Sequence, residues 1–210
     1  MKTIYSNLET LTWKVNNSKD VNPVPANVYK VDPWPGGMTT VIDAPAYGGA
    51  LAATPPLAIY PGATRFTLDY AMRLSGNAPY RAQAIEFDLM IIGPDGWVYN
   101  GSCQCVVAEG CKWQIAKPGG WQDAGCSTPL DTESATRVQS KFLCDWAKET
   151  IQLLSITVND TVHEATTALQ DALDLKWEPV NHLIVQRQLD VNAAGGAFSV
   201  DDQNIAVTQE

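Results

Sequence analysis

Histidine is almost missing from this chain: only His163 and His182 occur in 210 residues. That leaves little material for a histidine-based metal centre or a histidine-dependent nucleophile. No Cys-x-x-Cys pair is present, so the five cysteines do not read as a zinc ribbon. There is no Gly-x-Ser-x-Gly elbow, P-loop or dinucleotide fingerprint. No run of about 20 apolar residues exists, which argues against a spanning helix or other membrane insertion. Positive charge is also scarce, with 14 Lys and Arg against 23 Asp and Glu and a formal net charge of -9. A surface that acidic repels phosphate backbones, so nucleic acid and anionic membranes are not the expected partners.

What is present points to one folded domain over residues 1–210, since 45% apolar and 18% charged residues can fill and solvate a single core. Four of the five cysteines crowd between Cys103 and Cys126. They suit disulfides, which persist in oxidising compartments and close loops of this size for roughly 3 kcal/mol each. Cys144, inside the apolar run Phe142-Leu143-Cys144-Asp145-Trp146, reads as a buried free thiol. The disulfide reading implies a secreted protein. Met1-Lys2-Thr3 leads straight into polar sequence, so the chain reads as a mature form given a start methionine. The sequons at Asn16, Asn100 and Asn159 are compatible with export.

Residues 14–62 are punctuated by turn formers, among them Pro23, Pro25, Pro35-Gly36-Gly37, Gly48-Gly49, Pro55-Pro56 and Pro61-Gly62. Helices do not survive that density of proline and glycine, and short strands are expected at 38–42, 57–60 and 64–70. Residues 84–91 alternate, with Ile85, Phe87, Leu89 and Ile91 on one face and Glu86, Asp88 and Met90 on the other. The Gly93-Pro94-Asp95-Gly96 turn predicts a partner strand at 97–107. Hairpins are expected at 113–124 and 151–164, a short helix at 165–175, and closing strands at 182–189 and 197–207. Many short strands between turn signals predict an all-β sandwich or barrel.

The run Ala84-Ile85-Glu86-Phe87-Asp88, then Tyr99-Asn100-Gly101-Ser102-Cys103, Trp113-Gln114-Ile115, Trp121 and Cys126 resembles a family of small bacterial concanavalin A-like proteins. Leu154 to His163 is similar to that family's serine-x-threonine-x-asparagine-glycine hairpin, with Asp160 in place of the glycine. The likeness covers about residues 80–165. It implies a jelly-roll β-sandwich of two curved antiparallel sheets whose concave face binds sugar in lectins and cleaves it in laminarinase-type hydrolases. It also implies a Cys103–Cys126 bridge with Cys105–Cys111 as a local clip, although Cys105 could replace Cys103 in the longer bridge.

Retaining glycosidases need two carboxyls about 5–5.5 Å apart. The jelly-roll hydrolase strand reads Glu-x-Asp-x-Glu or Glu-x-Asp-x-x-Glu, so Glu86 and Asp88 are the candidate catalytic residues. Leu89-Met90-Ile91 leaves the third acid position empty, and Asp190 or Asp145 would have to fill it. His163 and His182 are the candidate bases for lyase chemistry. Indoles stack on sugar C–H faces while amides and carboxyls read hydroxyls, which makes Gln104, Trp113, Trp121, Gln188 and Asp190 the candidate binding residues. Asp201 and Asp202, with Glu9, could supply oxygens to a structural calcium. The sequence therefore predicts a secreted carbohydrate-binding domain holding a poly- or oligosaccharide. The alternatives are a glycoside hydrolase or polysaccharide lyase on the same scaffold, or an adhesive surface protein marked by a large exposed apolar patch.

Overall fold

The computed structural model describes residues 3–19, 23–75, 77–127, 130 and 132–210. In chain order its strands begin with β1 Thr3–Tyr5, β2 Lys14–Asn16, β3 Val28–Trp34, β4 Gly37–Ala44, β5 Gly49–Ala53 and β6 Leu57–Ala58. They continue with β7 Arg65–Ser75, β8 Ala82–Ile92, β9 Trp97–Val106, β10 Lys112–Lys117, β11 Gly120–Ser127 and β12 Thr136–Asp145. The last are β13 Thr150–Val158, β14 Thr161–Asp171, β15 Leu173–Lys176, β16 His182–Val191 and β17 Gly196–Gln209. A single helical turn, Ala78–Arg81, joins β7 to β8.

Two antiparallel sheets result. The first runs β14-β13-β12-β7-β17-β4-β3, with β1 added along β17. The second runs β11-β10-β9-β8-β16-β5-β2, with β15 on β9 and β6 on β16. Strand alternation decides what lies between them. Phe66, Leu68, Tyr70, Met72 and Leu74 of β7 face Ile85, Phe87, Leu89 and Ile91 of β8, all buried. The rings of Tyr70 and Phe87 meet across the gap at 4.1 Å between centroids. Each such large apolar side chain contributes about 1.5–3 kcal/mol by leaving water. Gly101 on β9 is a glycine because the Phe142 ring lies against it; a Cβ there would sit 2.4 Å from that ring.

One polar contact is set inside this apolar layer. Arg187 of β16 and Asp202 of β17 are both fully buried, and Arg187 Nε donates to Asp202 Oδ2 at 3.0 Å. Arg187 Nη2 reaches Oδ1 at 3.4 Å, and Nη1 donates to the Glu86 carbonyl at 3.3 Å. The guanidinium also lies 4.6 Å from the Phe87 ring centroid. The pair joins the two sheets at their centre, directly beneath Glu86.

The helix expected at 165–175 is not formed; those residues continue β14 and enter β15. Thr161–Asp171 is the return arm of a hairpin on β13. The backbone amides there gain more from pairing with a strand edge already in place than from a short helix of β-branched threonines. Its turn, Asn159-Asp160, has φ of 45° and 67°, the left-handed pair that a two-residue hairpin requires and that Asn and Asp tolerate.

Candidate functional site

The outward face of the second sheet is polar along two adjacent rows. Strand register lines up Asn16, Leu51, Gln188, Glu86, Gln104, Gln114 and Asp123 across seven strands. At strand spacings of about 4.8 Å this row is roughly 29 Å long. The next row runs Lys14, Ala53, Gln186, Asp88 and Ser102, and Ala116 pairs with Trp121 on the two strands beyond. Both rows exist because β8, β9 and β16 place every second residue outward, and those residues are Glu, Asp, Gln and Ser. Below them Met90, Ile92 and Val98 form an apolar floor with Ile184, and Leu175 of β15 packs over it.

Side-chain contacts run along the rows. Gln104 Nε2 donates to Gln114 Oε1 at 2.8 Å, and Gln188 Nε2 donates to Asp190 Oδ2 at 3.0 Å. At the centre, the Glu86 and Asp88 carboxyls hydrogen-bond each other, a contact two carboxyls make only while one keeps a proton. Burial pushes Glu86 well above the ordinary carboxylate range, and the Asp88 charge pushes it further. Burial also raises Asp88, while hydrogen bonds from Glu86 and Ser102 pull it back; its Oδ1 has no donor. Asp190 is raised by burial, against the amide of Gln188.

A cleft of about 660 Å³ opens beside the rows at the β2–β5–β16 end. Its walls include Leu51, Ala53, Pro55-Pro56, Ile184 and Trp177, with Lys14, Asn16 and Gln186 supplying polar atoms. Trp177 is 42% exposed and Trp121, at the opposite end of the sheet, is 38% exposed. An apolar wall beside a hydrogen-bonding floor, with an indole toward each end, is chemically suited to a ligand that has C–H faces and many hydroxyls.

The structure thus brings together Glu86, Asp88, Gln104, Gln188 and Asp190 from the sequence reading and places Trp121 on the same face. It removes Trp113, which is fully buried between the sheets. The strand phase that sends Gln114 outward sends Trp113 inward. Asp145 lies at the end of β12 in the other sheet and is held by Lys148 Nζ at 2.7 Å. His163 sits on β14 of that sheet, paired with Ile156. His182 is opposite Ile92, beyond the apolar floor. Sequence reasoning missed Gln114, Gln186 and Trp177, and also Arg187. Arginine at an inward position among Leu183, Val185 and Leu189, matched by inward Asp202 beside Val200, was the available signal.

The three residues expected to supply a calcium, Asp201, Asp202 and Glu9, are not gathered into one site. Adjacent residues on a strand point to opposite faces, so Asp201 and Asp202 diverge. Asp202 goes to Arg187, while Asp201 takes Arg73 Nη2 and the Thr39 hydroxyl, each at 2.7 Å. Glu9 accepts the Ile205 amide at 3.0 Å, where a bulge in β17 frees that N–H from the ladder. Among the described residues no group of three or more His, Cys, Asp or Glu side chains is placed to hold a metal ion.

The cysteines are all thiols. Cys103 lies between the sheets with Sγ 3.1 Å from the Ser140 hydroxyl and 3.6 Å from that of Tyr70, so the expected bridge to Cys126 is not formed. Cys105 and Cys111 do meet as an unbridged, hydrogen-bonded pair. That contact, with the Leu130 amide on Cys111 Sγ at 3.2 Å, pulls the Cys111 thiol down to about 6. Cys144 is buried and free, as expected.

Two stacked antiparallel sheets with this strand order are the concanavalin A-like jelly roll. Solved structures share it over the whole chain. Lectin I from Ulex europaeus, solved with the methyl glycoside of α-L-fucose, superposes with a TM-score of 0.57 at 12% identity, covering 99% of this chain and 98% of that one. The alginate lyase Aly36B gives 0.52 at 10% identity, over 97% and 96% of the two chains. Peanut lectin, solved with a nine-residue peptide, gives 0.50 at 13%, over 100% and 99%. No protein-family model matches the chain, and no curated protein matches its sequence. At such identities the likeness is one of fold.

Proposed function

We propose that this protein is a lectin-like module that binds a poly- or oligosaccharide along the two polar rows and the adjoining cleft. The observation that carries the reading is the continuous outward row from Asn16 to Asp123, in which hydroxyl-reading side chains on adjacent strands lead from the Trp177 cleft toward Trp121. Two features weigh against turnover. The Glu86 and Asp88 carboxyls hydrogen-bond each other side by side on one strand, so they are not themselves the separated pair of a retaining hydrolase, and Asp190 would have to supply the second carboxyl. The outward positions of the two rows hold no histidine or tyrosine to abstract a proton in a lyase step.

The test is calorimetric titration of the full chain with an oligosaccharide panel, repeated on Gln188→Ala, Trp177→Ala and Trp121→Ala. Binding by the parent chain, weakened about tenfold or more by Gln188→Ala and Trp177→Ala, supports the reading. No binding to any glycan, or binding that ignores these residues, refutes it. We also propose that the protein works outside the cell, with Cys105 and Cys111 as the thiols that oxidise there. The exposed sequon residue Asn159, on the hairpin turn of the other sheet, supports that location.

A further inference from the structure

We infer that this face takes neutral, hydroxyl-rich glycans and turns away chains that carry a carboxylate or sulfate on each sugar. The inference rests on the carbohydrate reading above and concerns the charge of the same rows. Three carboxyls, Glu86, Asp88 and Asp190, stand at the centre, and Asp123 closes one end. Of the cations on this face, Lys112 is held by Asp123 at 3.0 Å. Lys14 belongs to the far row end, three strand spacings or about 14 Å from Asp88. Arg187 is beneath the sheet, its guanidinium donating to Asp202 and to the Glu86 carbonyl, so no fork is offered upward.

A uronate seated over the centre would therefore meet acidic groups in a partly desolvated site, where Coulomb repulsion is stronger than in water. It would also lack the bidentate arginine that usually receives a carboxylate. Neutral hydroxyls meet the opposite situation. The amides of Gln104, Gln114, Gln186 and Gln188 each carry donors and an acceptor, which a hydroxyl can match in either sense. Leu51, Ala53, Pro55, Pro56 and Trp177 give the cleft an apolar wall for the C–H faces.

The experiment compares the full chain titrated with neutral oligosaccharides (β-glucan, xylan, mannan and galactan fragments) and with oligouronates and sulfated galactan fragments of equal length. Neutral fragments are expected to bind, the anionic ones about tenfold or more weakly, and the gap is expected to narrow in Asp88→Asn/Asp190→Asn. Uronates binding as well as neutral fragments, with Lys14→Ala abolishing it, would overturn the charge argument while leaving the carbohydrate reading standing. Binding by neither class removes the carbohydrate reading itself. The comparison on the parent chain decides the matter even if the double variant fails to fold.

Discussion

Replacing Glu86 with glutamine should stabilise the protein at neutral and alkaline pH and leave it almost unchanged in acid. Glu86 is nine-tenths buried, with Asp88 against it, Asp190 nearby and Arg187 below the sheet. Burial first, and the Asp88 charge second, raise its folded-state pKa well above the unfolded value. A raised carboxyl pKa means that, between the two values, the folded chain holds a proton the unfolded chain has lost. Stability is then greatest below the unfolded value and falls as pH climbs through the folded one, by up to about 1.4 kcal/mol per pH unit for one proton. Glutamine keeps the shape, donates an amide hydrogen to Asp88 and has nothing to titrate. The expected gain at pH 8 is about 1–3 kcal/mol, the usual cost of a buried polar group in the wrong ionisation state. For a domain of this length that is about 2–12 °C in Tm. Asp123 and Asp145, whose pKa values are lowered, drive the opposite trend, so the observable is the difference between variant and parent. Calorimetric melting from pH 4 to pH 9 measures it. A difference that stays flat with pH, or a variant less stable at pH 8, refutes the argument.

Asp202→Asn should cost about 3–5 kcal/mol by leaving the Arg187 guanidinium buried without its counter-charge, whereas Arg187→Met with Asp202→Leu should recover most of that loss in urea unfolding. Gly101→Ala should cost about 1–3 kcal/mol, because the Phe142 ring has to move from 2.4 Å, and the same unfolding assay reports it. Mild treatment with a disulfide oxidant should join Cys105 to Cys111 and leave Cys103 reduced, read as the loss of two hydrogens in the peptide pair by mass spectrometry; a Cys103–Cys126 product would contradict the described geometry.

Strand alternation made the centre of the site legible in the sequence. Glu86 and Asp88 stand out because Ile85, Phe87, Leu89 and Ile91 fix the inward phase of β8, and a period of two leaves no freedom about the other face. Cross-strand partners were not legible to the same degree. Gln104 and Gln188 could be named as residue types, yet their places beside Glu86 depend on register between strands far apart in the chain. Trp113 failed for a related reason: an indole on a strand looks the same in sequence whether its phase is inward or outward, and only the Gln114–Gln104 pairing decides it. The helix at 165–175 failed because a leucine spacing of four also fits two successive strands, β14 exposing Leu169 and β15 exposing Leu173.

The buried ion pair and the outward rows are two consequences of one strand phase. On β16 the phase that turns Gln186, Gln188 and Asp190 outward turns Arg187 inward, where it grips Asp202 of the opposite sheet and the carbonyl of Glu86. The centre of the polar face is thereby tied from behind to the first sheet, at the residue whose side chain carries the shared proton. A one-residue slip of β16 would bury Gln188 and Gln186 and expose Leu189 and Val185, losing both the core contact and the ligand row together. Rigidity at the site and cohesion between the sheets therefore depend on the same guanidinium, and a change at Arg187 is expected to weaken glycan binding even though its side chain never reaches the outward face.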